Sequence, residues 1–245
     1  ATPQADKALD PNEATKPLVL IGPYEHHSNE LPWREAQADV IRIPLDEDGN
    51  INQQDLIRAL EENATRPLVV GSFSAASNVT GVKADVPGIT QILKRHGAIA
   101  VWDYAAGAPY LPIDMNRPGA AIDAVFFSPH KFIGGPGSSG VLAVKRSVIR
   151  STAPGQVGGG TVRYVTPDWH DWHPDPEHRE EGGTPGIIES IRGAMAVSIP
   201  GKLGYQRLAE IERKHVLTAR EVLLNTPGLE LLGSPSSDRL PIFSV

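Results

Sequence analysis

Phe126-Phe127-Ser128-Pro129-His130-Lys131, followed at once by Phe132-Ile133 and the run Gly134-Gly135-Pro136-Gly137-Ser138-Ser139-Gly140, is the stretch around which the other segments can be placed. Residues 124–127 are apolar and strand-like, and the glycines with Pro136 signal a turn. Lys131 is therefore expected at a strand end, partly withdrawn from water. Desolvation in such a place lowers an ammonium pKa and makes the amine a nucleophile. Read alone, Lys131 is more simply one exposed cation among 23 Lys and Arg; its neighbours reverse that reading.

Gly135, Gly137 and Gly140 match the pattern G-x-G-x-x-G letter for letter. That dinucleotide fingerprint follows a strand and opens a helix, whereas these glycines lead into Val141-Leu142-Ala143-Val144, which reads as a strand. No Lys-Ser or Lys-Thr follows Gly140, so a phosphate-binding P-loop fails too. The glycines read instead as a turn that clears space beside Lys131. The common use of a desolvated lysine is a Schiff base, and its common carbonyl partner is pyridoxal 5'-phosphate (PLP).

Composition sets the frame. A chain of 245 residues with 40% hydrophobic content buries a real core. Its formal charge of −6 offers no electrostatic ground for binding nucleic acid. No apolar run approaches the roughly 18 residues that span a bilayer, and residues 1–17 are too polar and Pro-rich for a signal peptide. The expected location is cytoplasmic. The absence of cysteine excludes disulfides and thiolate metal sites from these residues.

Taken in order, residues 1–17 lack an apolar period and read as a loop or linker. Leu18-Val19-Leu20-Ile21, ended by Gly22-Pro23, suits a strand buried on both faces. Strands are expected again at 40–43, 67–74, 98–102 and 124–127. Between them, helices start at the caps Asn52 and Asp85, the second closed by Gly97. Such alternation indicates an α/β fold, a mostly parallel sheet covered by helices on both faces. His26, Asn78, Asp103 and His130-Lys131 each follow a separate strand, so the fold brings them to one sheet edge, where open α/β sheets bind ligands. Residues 151–185 are too long for an ordinary connection and so functional or interface-forming. Helices are expected over 187–203 and 205–224, with strands at 229–232 and 242–245 opening a small α+β domain.

The ordered motifs Gly22-Pro23-Tyr24-Glu25-His26-His27-Ser28-Asn29, Ser77-Asn78-Val79-Thr80-Gly81, Asp103-Tyr104-Ala105, Ser128-Pro129-His130-Lys131 and Glu181-Gly182-Gly183-Thr184-Pro185 resemble the class V aminotransferase family of PLP enzymes. The resemblance is greatest to its cysteine desulfurase and selenocysteine lyase branch. It implies a type I PLP-dependent transferase-like fold in three parts. These are a linker over 1–17, a large PLP-binding domain over 18–190 incomplete at its N-terminus, and over 191–245 a connecting helix with the start of a small C-terminal domain. It further implies that Lys131 forms the Schiff base, Asp103 pairs with the pyridine nitrogen, and His26 lies over the ring. Asn78 would approach the ring hydroxyl, Ser128 and His130 would hold the phosphate, and Thr184 would reach the phosphate of the other subunit in a homodimer with a shared site. The substrate would be an amino acid.

Three departures accompany the resemblance. Ala106 stands where such enzymes commonly carry a Gln, so Tyr104 or a water is expected to tune the ring. No Gly-Ser/Thr phosphate turn precedes His26. The cysteine of desulfurases and the arginine that grips the substrate carboxylate are expected beyond Val245. A desulfurase needs a thiolate; an aminotransferase needs only the lysine, the aspartate and the anion-binding groups. A metal-dependent hydrolase using His170, Asp171, His173, Asp175 and His178 is a weaker alternative. Pro174 and Pro176 would break a helix aligning these residues, and no spacing is H-x-x-x-H, so no metal is expected. A non-catalytic binding protein of the same fold is the third reading.

Overall fold

Residues Leu18–Ile21 (β1) are buried along their whole length, because an all-apolar strand gains only where both sheet faces are covered. The computed structural model describes residues 16–245, so the expected linker lies almost wholly outside the described residues. A six-stranded sheet is built from β1, β2 (Asp39–Arg42), β3 (Val69–Ser74), β4 (Ile99–Asp103), β5 (Ala124–Phe127) and β6 (Val141–Val144). Its order is β2-β1-β3-β4-β5-β6. Every neighbouring pair is parallel except β5 with β6, where the glycine run turns the chain back antiparallel.

Alternation along the strands divides the core in two. Leu18, Leu20, Phe73, Ala100, Trp102 and Val125 face one cluster with α2 (Gln53–Glu62) and α3 (Val86–Arg95). Val19, Ile21, Val70, Val101 and Ala124 face the other, against Trp33 of the short helix α1 (Leu31–Glu35). Leu18, Leu20, Phe73 and Trp102 are fully buried, and each such side chain contributes about 1.5–3 kcal/mol. The caps are those the sequence predicts. Asn52 accepts from the N–H groups of Gln54 and Asp55, and Asp85 accepts from Gly88. Gly97, at φ +72°, closes α3, with Ala98 N–H bonded to Leu93 O at 3.0 Å.

Two polar contacts tie α3 to the sheet. Trp102 Nε1 donates to Thr90 Oγ1 at 2.8 Å. Buried Asp123 accepts from Lys94 Nζ at 2.6 Å and from Ala100 N–H at 2.9 Å.

The long segment 151–185 is not featureless. It contains an antiparallel hairpin, β7 (Val162–Val165) with β8 (His170–Trp172), and the short helix α4 (Pro176–Glu180). Pro176 does not break that helix but opens it behind the cap Asp175, because a first-turn residue has no intrahelical N–H bond to lose. Buried Arg179 braces the segment, donating to the carbonyls of His173, Pro174 and Ser151. Polar bonds therefore supply internally the support that its few apolar residues do not.

Helices α5 (Ile187–Leu203) and α6 (Tyr205–Leu224) have the expected bounds and are separated by Gly204 at φ +87°. The strands expected at 229–232 and 242–245 do not form. Between them runs a hydrogen bond from Leu232 N–H to Ser244 O, whereas a strand needs a ladder. Residues 238–240 lie instead against the turn after β3. Arg239 bridges Val82, and Leu240 N–H donates to Gly81 O at 2.8 Å. A Cβ on Gly81 would meet Ile242 O at 2.6 Å, so this approach requires glycine.

Candidate active site at the carboxyl edge of the sheet

Parallel pairing places the ends of β1, β3, β4 and β5 side by side. Ser74 is the register partner of Asp103, and Asp103 that of Phe126. The residues that follow these strands meet on one rim: Glu25 and His26 after β1, the Ser77–Gly81 turn after β3, Asp103 closing β4, and Ser128 to Lys131 after β5.

Asp103 is buried, 5% exposed. Its Oδ1 accepts the Ala105 N–H at 2.7 Å. Burial raises its carboxyl above the usual aspartate value, while the Ala105 bond and the nearby Lys131 and His26 pull it back. Lys131 and His26 are thus each within electrostatic reach of Asp103, although they lie 28 and 77 positions from it along the chain.

Lys131 does not sit as expected. It ends a 3₁₀ turn over Pro129–Lys131 and is exposed, because that turn carries the chain off β5 onto the open rim. The partial burial expected for its amine is absent. Its backbone, by contrast, is closely held. Lys131 N–H donates to Ser128 O at 3.0 Å, and Gly135 N–H to Phe132 O at 2.9 Å. The Ser128 hydroxyl does not cap its own turn. His130 is exposed beside it.

His26 is exposed too, with Nδ1 accepting the Ser28 N–H at 3.2 Å and 3.0 Å from Ser28 Oγ. In the neutral ring this bond leaves the proton on Nε2, which is free to donate. Asn78 is exposed on its turn, which Ser77 Oγ holds by accepting from Val79 and Thr80. Tyr104 belongs to the core. It is 4% exposed, and its hydroxyl is pushed up to about 12 by burial and by Asp114, so it is not placed to take over from Ala106.

Thr184 is exposed between α4 and α5. Beside it, Gly183 N–H is bonded to Gly159 O at 2.7 Å, within the run Gly158-Gly159-Gly160 that precedes β7. Among the described residues no group of three or more His, Cys, Asp or Glu is disposed to hold a metal. His173 and His178 stack on each other at 4.7 Å, and His178 is 3.1 Å from the cap Asp175.

Glu25 is the rim residue that the sequence reading passed over. It is a buried carboxylate that accepts from Gly22 N–H, Asn29 Nδ2 and both the N–H and hydroxyl of Ser74. The available signal was its position, an acid directly before a tandem histidine at a strand end.

An amine, a buried carboxylate and an uncommitted hydroxyl on one strand-end rim suit a carbonyl cofactor bearing a ring nitrogen and a phosphate. Comparison agrees. Residues 6–245 match the model of the family Aminotransferase class-V, and the chain belongs to that family of PLP-dependent enzymes. It is 36% identical over 217 residues to a probable cysteine desulfurase of Aeropyrum pernix, covering 85% of this chain and 50% of that protein. Over 241 residues it is 32% identical to a probable cysteine desulfurase of Staphylococcus epidermidis, covering 96% and 56%. The apo structure of cysteine desulfurase from Thermococcus onnurineus superposes with a TM-score of 0.79 at 26% identity, covering 94% of this chain and 57% of that one. The Escherichia coli cysteine desulfurase CsdA superposes with 0.75 at 26%, covering 91% and 55%. The chain spans about half the length of the relatives it matches.

Proposed function

We propose that this chain supplies the PLP-binding half of a cysteine desulfurase-like or selenocysteine lyase-like enzyme acting on an amino acid in the cytoplasm, with residues 18–190 as the cofactor domain. The observation that carries the reading is the convergence of Lys131, Asp103 and His26 from three separate strand ends. Bound there, PLP supplies an electron sink for charge developing at the substrate Cα.

The protein's own residues then divide the work. Lys131 Nζ would hold the cofactor through its amine and would serve as the base for the Cα proton. Asp103 holds a proton on the ring nitrogen, since a buried anion stabilises a neighbouring cation more than water does. His26 covers the ring face and offers Nε2–H. Ser128 and His130 donate to the phosphate, and Asn78 approaches the ring hydroxyl. Thr184 reaches the phosphate of a second subunit. The exposed apolar side chains Ile188, Ile191 and Met195 along α5 support that homodimer.

Borohydride reduction of the full-length protein followed by peptide mapping tests the reading. The reduced cofactor is expected on Lys131; a label on another lysine, or no retained cofactor, sinks it. Products separate the branches. Alanine with released sulfur or selenium marks the lyase, and a 2-oxo acid marks amino-group transfer.

A further inference from the structure

We propose that Glu25 is a positioning residue of this site, binding the ends of β1 and β3 into one rim so that His26 and Asp103 keep their places. The inference rests on the reading above for what the rim holds, and on geometry for the rim itself.

Glu25 is 9% exposed and receives four hydrogen bonds. Oε1 accepts from Gly22 N–H at 3.2 Å and Ser74 N–H at 3.0 Å; Oε2 accepts from Asn29 Nδ2 and Ser74 Oγ, each at 2.6 Å. Gly22 follows β1 and Ser74 ends β3, so one side chain spans both strand ends. Ser74 in turn is the register partner of Asp103, and His26 is the next residue along the chain. Of the groups proposed to meet the cofactor ring, His26 is thus the covalent neighbour of this residue, and Asp103 is joined to it by one hydrogen bond and one ladder step through Ser74.

The polarity of the network is fixed. Asn29, 1% exposed, accepts at Oδ1 from Trp33 Nε1 at 3.2 Å and from Ser72 Oγ at 2.5 Å. An indole N–H only donates, so Asn29 must turn its amide NH₂ toward Glu25. The backbone N–H groups of Gly22 and Ser74 only donate as well. Position 25 thus faces donors on both oxygens and demands an acceptor-only group. A glutamine there, in either amide orientation, opposes N–H to N–H at one place or the other.

Electrostatics join the brace to the chemistry. Burial lifts the Glu25 carboxyl, the hydrogen bonds from Ser74 and Asn29 lower it, and the charge of Asp103 raises it further. Asp103 in turn feels Lys131 and His26. The Glu25 titration therefore reads how near the brace lies to the charge on Asp103, and PLP affinity reads whether the brace positions the site.

Two measurements on the full-length protein decide it. In apo protein labelled with [δ-¹³C]glutamate, the Glu25 resonance, identified by its loss in Glu25→Gln, is expected to titrate at lower pH in Asp103→Asn than in wild type. In Glu25→Gln, the dissociation constant for PLP is expected to rise at least about tenfold, with the reduced label still on Lys131. Should Glu25→Gln fail to fold, Glu25→Asp, which keeps the charge but falls short of the four donors, serves for the binding measurement and should also weaken PLP. A Glu25 titration unmoved by Asp103→Asn, or wild-type PLP affinity in the folded variant, overturns the proposal. A wild-type protein that binds no PLP refutes the cofactor reading instead, and the apo titration still tests the link between Glu25 and Asp103.

Discussion

A side-chain carbon on Gly135 would stand 1.8 Å from the carbonyl oxygen of Pro129. The glycine run thus lets the chain fold back onto the turn that presents Lys131. Gly135→Ala must push that turn aside, and overpacking of this kind costs about 1–3 kcal/mol. Thermal unfolding is expected to show the loss, together with reduced borohydride labelling of Lys131. Gly140→Ala, whose added carbon would approach only Phe127 O, at 4.0 Å, is the control and should leave both unchanged. A Gly135→Ala protein with wild-type melting temperature and labelling contradicts this account of the turn.

The bond from Trp102 Nε1 to Thr90 Oγ1 lies where neither residue touches solvent. Thr90→Val keeps the shape and removes the acceptor, leaving an indole N–H buried without a partner. Such an orphan costs about 1–3 kcal/mol. Urea unfolding should show a lower midpoint with an unchanged slope. A shift below about 0.5 kcal/mol would mean that water reaches Trp102 in the native state.

The sheet was legible because its strands are short apolar runs between turn residues: Leu18 to Ile21 admits hardly any other reading once Gly22-Pro23 ends it. Hairpin β7–β8 was not. It is mostly exposed, and its strands mix charge with aromatic rings; His170 and Trp172 meet edge-on along β8, and the Arg163–Asp171 ion pair holds one strand to the other. Cross-strand pairs of that kind leave no period in the sequence. Pro176 was misjudged because a helix breaker and a helix opener are the same residue until the cap before it is known. The rim was foreseeable from strand ends. The exposure of Lys131 and the burial of Glu25 were not, since both depend on which way a turn leaves the sheet.

Asp175 caps α4 and is held to about 2, first by its hydrogen bond from Arg146 and then by His178. A folded-state value below the unfolded one means a contribution present above the usual aspartate range and lost as pH falls toward about 2. Arg146→Gln is expected to move the Asp175 carboxyl titration upward. Because the pair is exposed, 1 M salt should do part of the same in the wild type. A titration indifferent to both changes would show that Arg146 does not set it, leaving His178 and the cap bond to Glu177.

Asp103 brings stability and function into opposition. Its folded-state pKa is raised, mainly by burial, so its contribution to stability is full below the unfolded value and is lost as pH rises through the folded one. Asp103→Asn keeps the shape and does not ionise, so the melting temperature of the apo variant minus that of the wild type should grow from pH 4 to pH 8. Turnover should move the other way. Asp103→Ala and Asp103→Asn are expected to retain cofactor on Lys131 yet lose about a hundredfold in rate, on the order of 3 kcal/mol of transition-state stabilisation. Strain of this sort is kept at a site because the ionised group is needed there. Melting temperatures that diverge with pH as stated, together with the lost rate, identify Asp103 as the anion that holds the ring proton; near-native turnover in either variant removes it from that role.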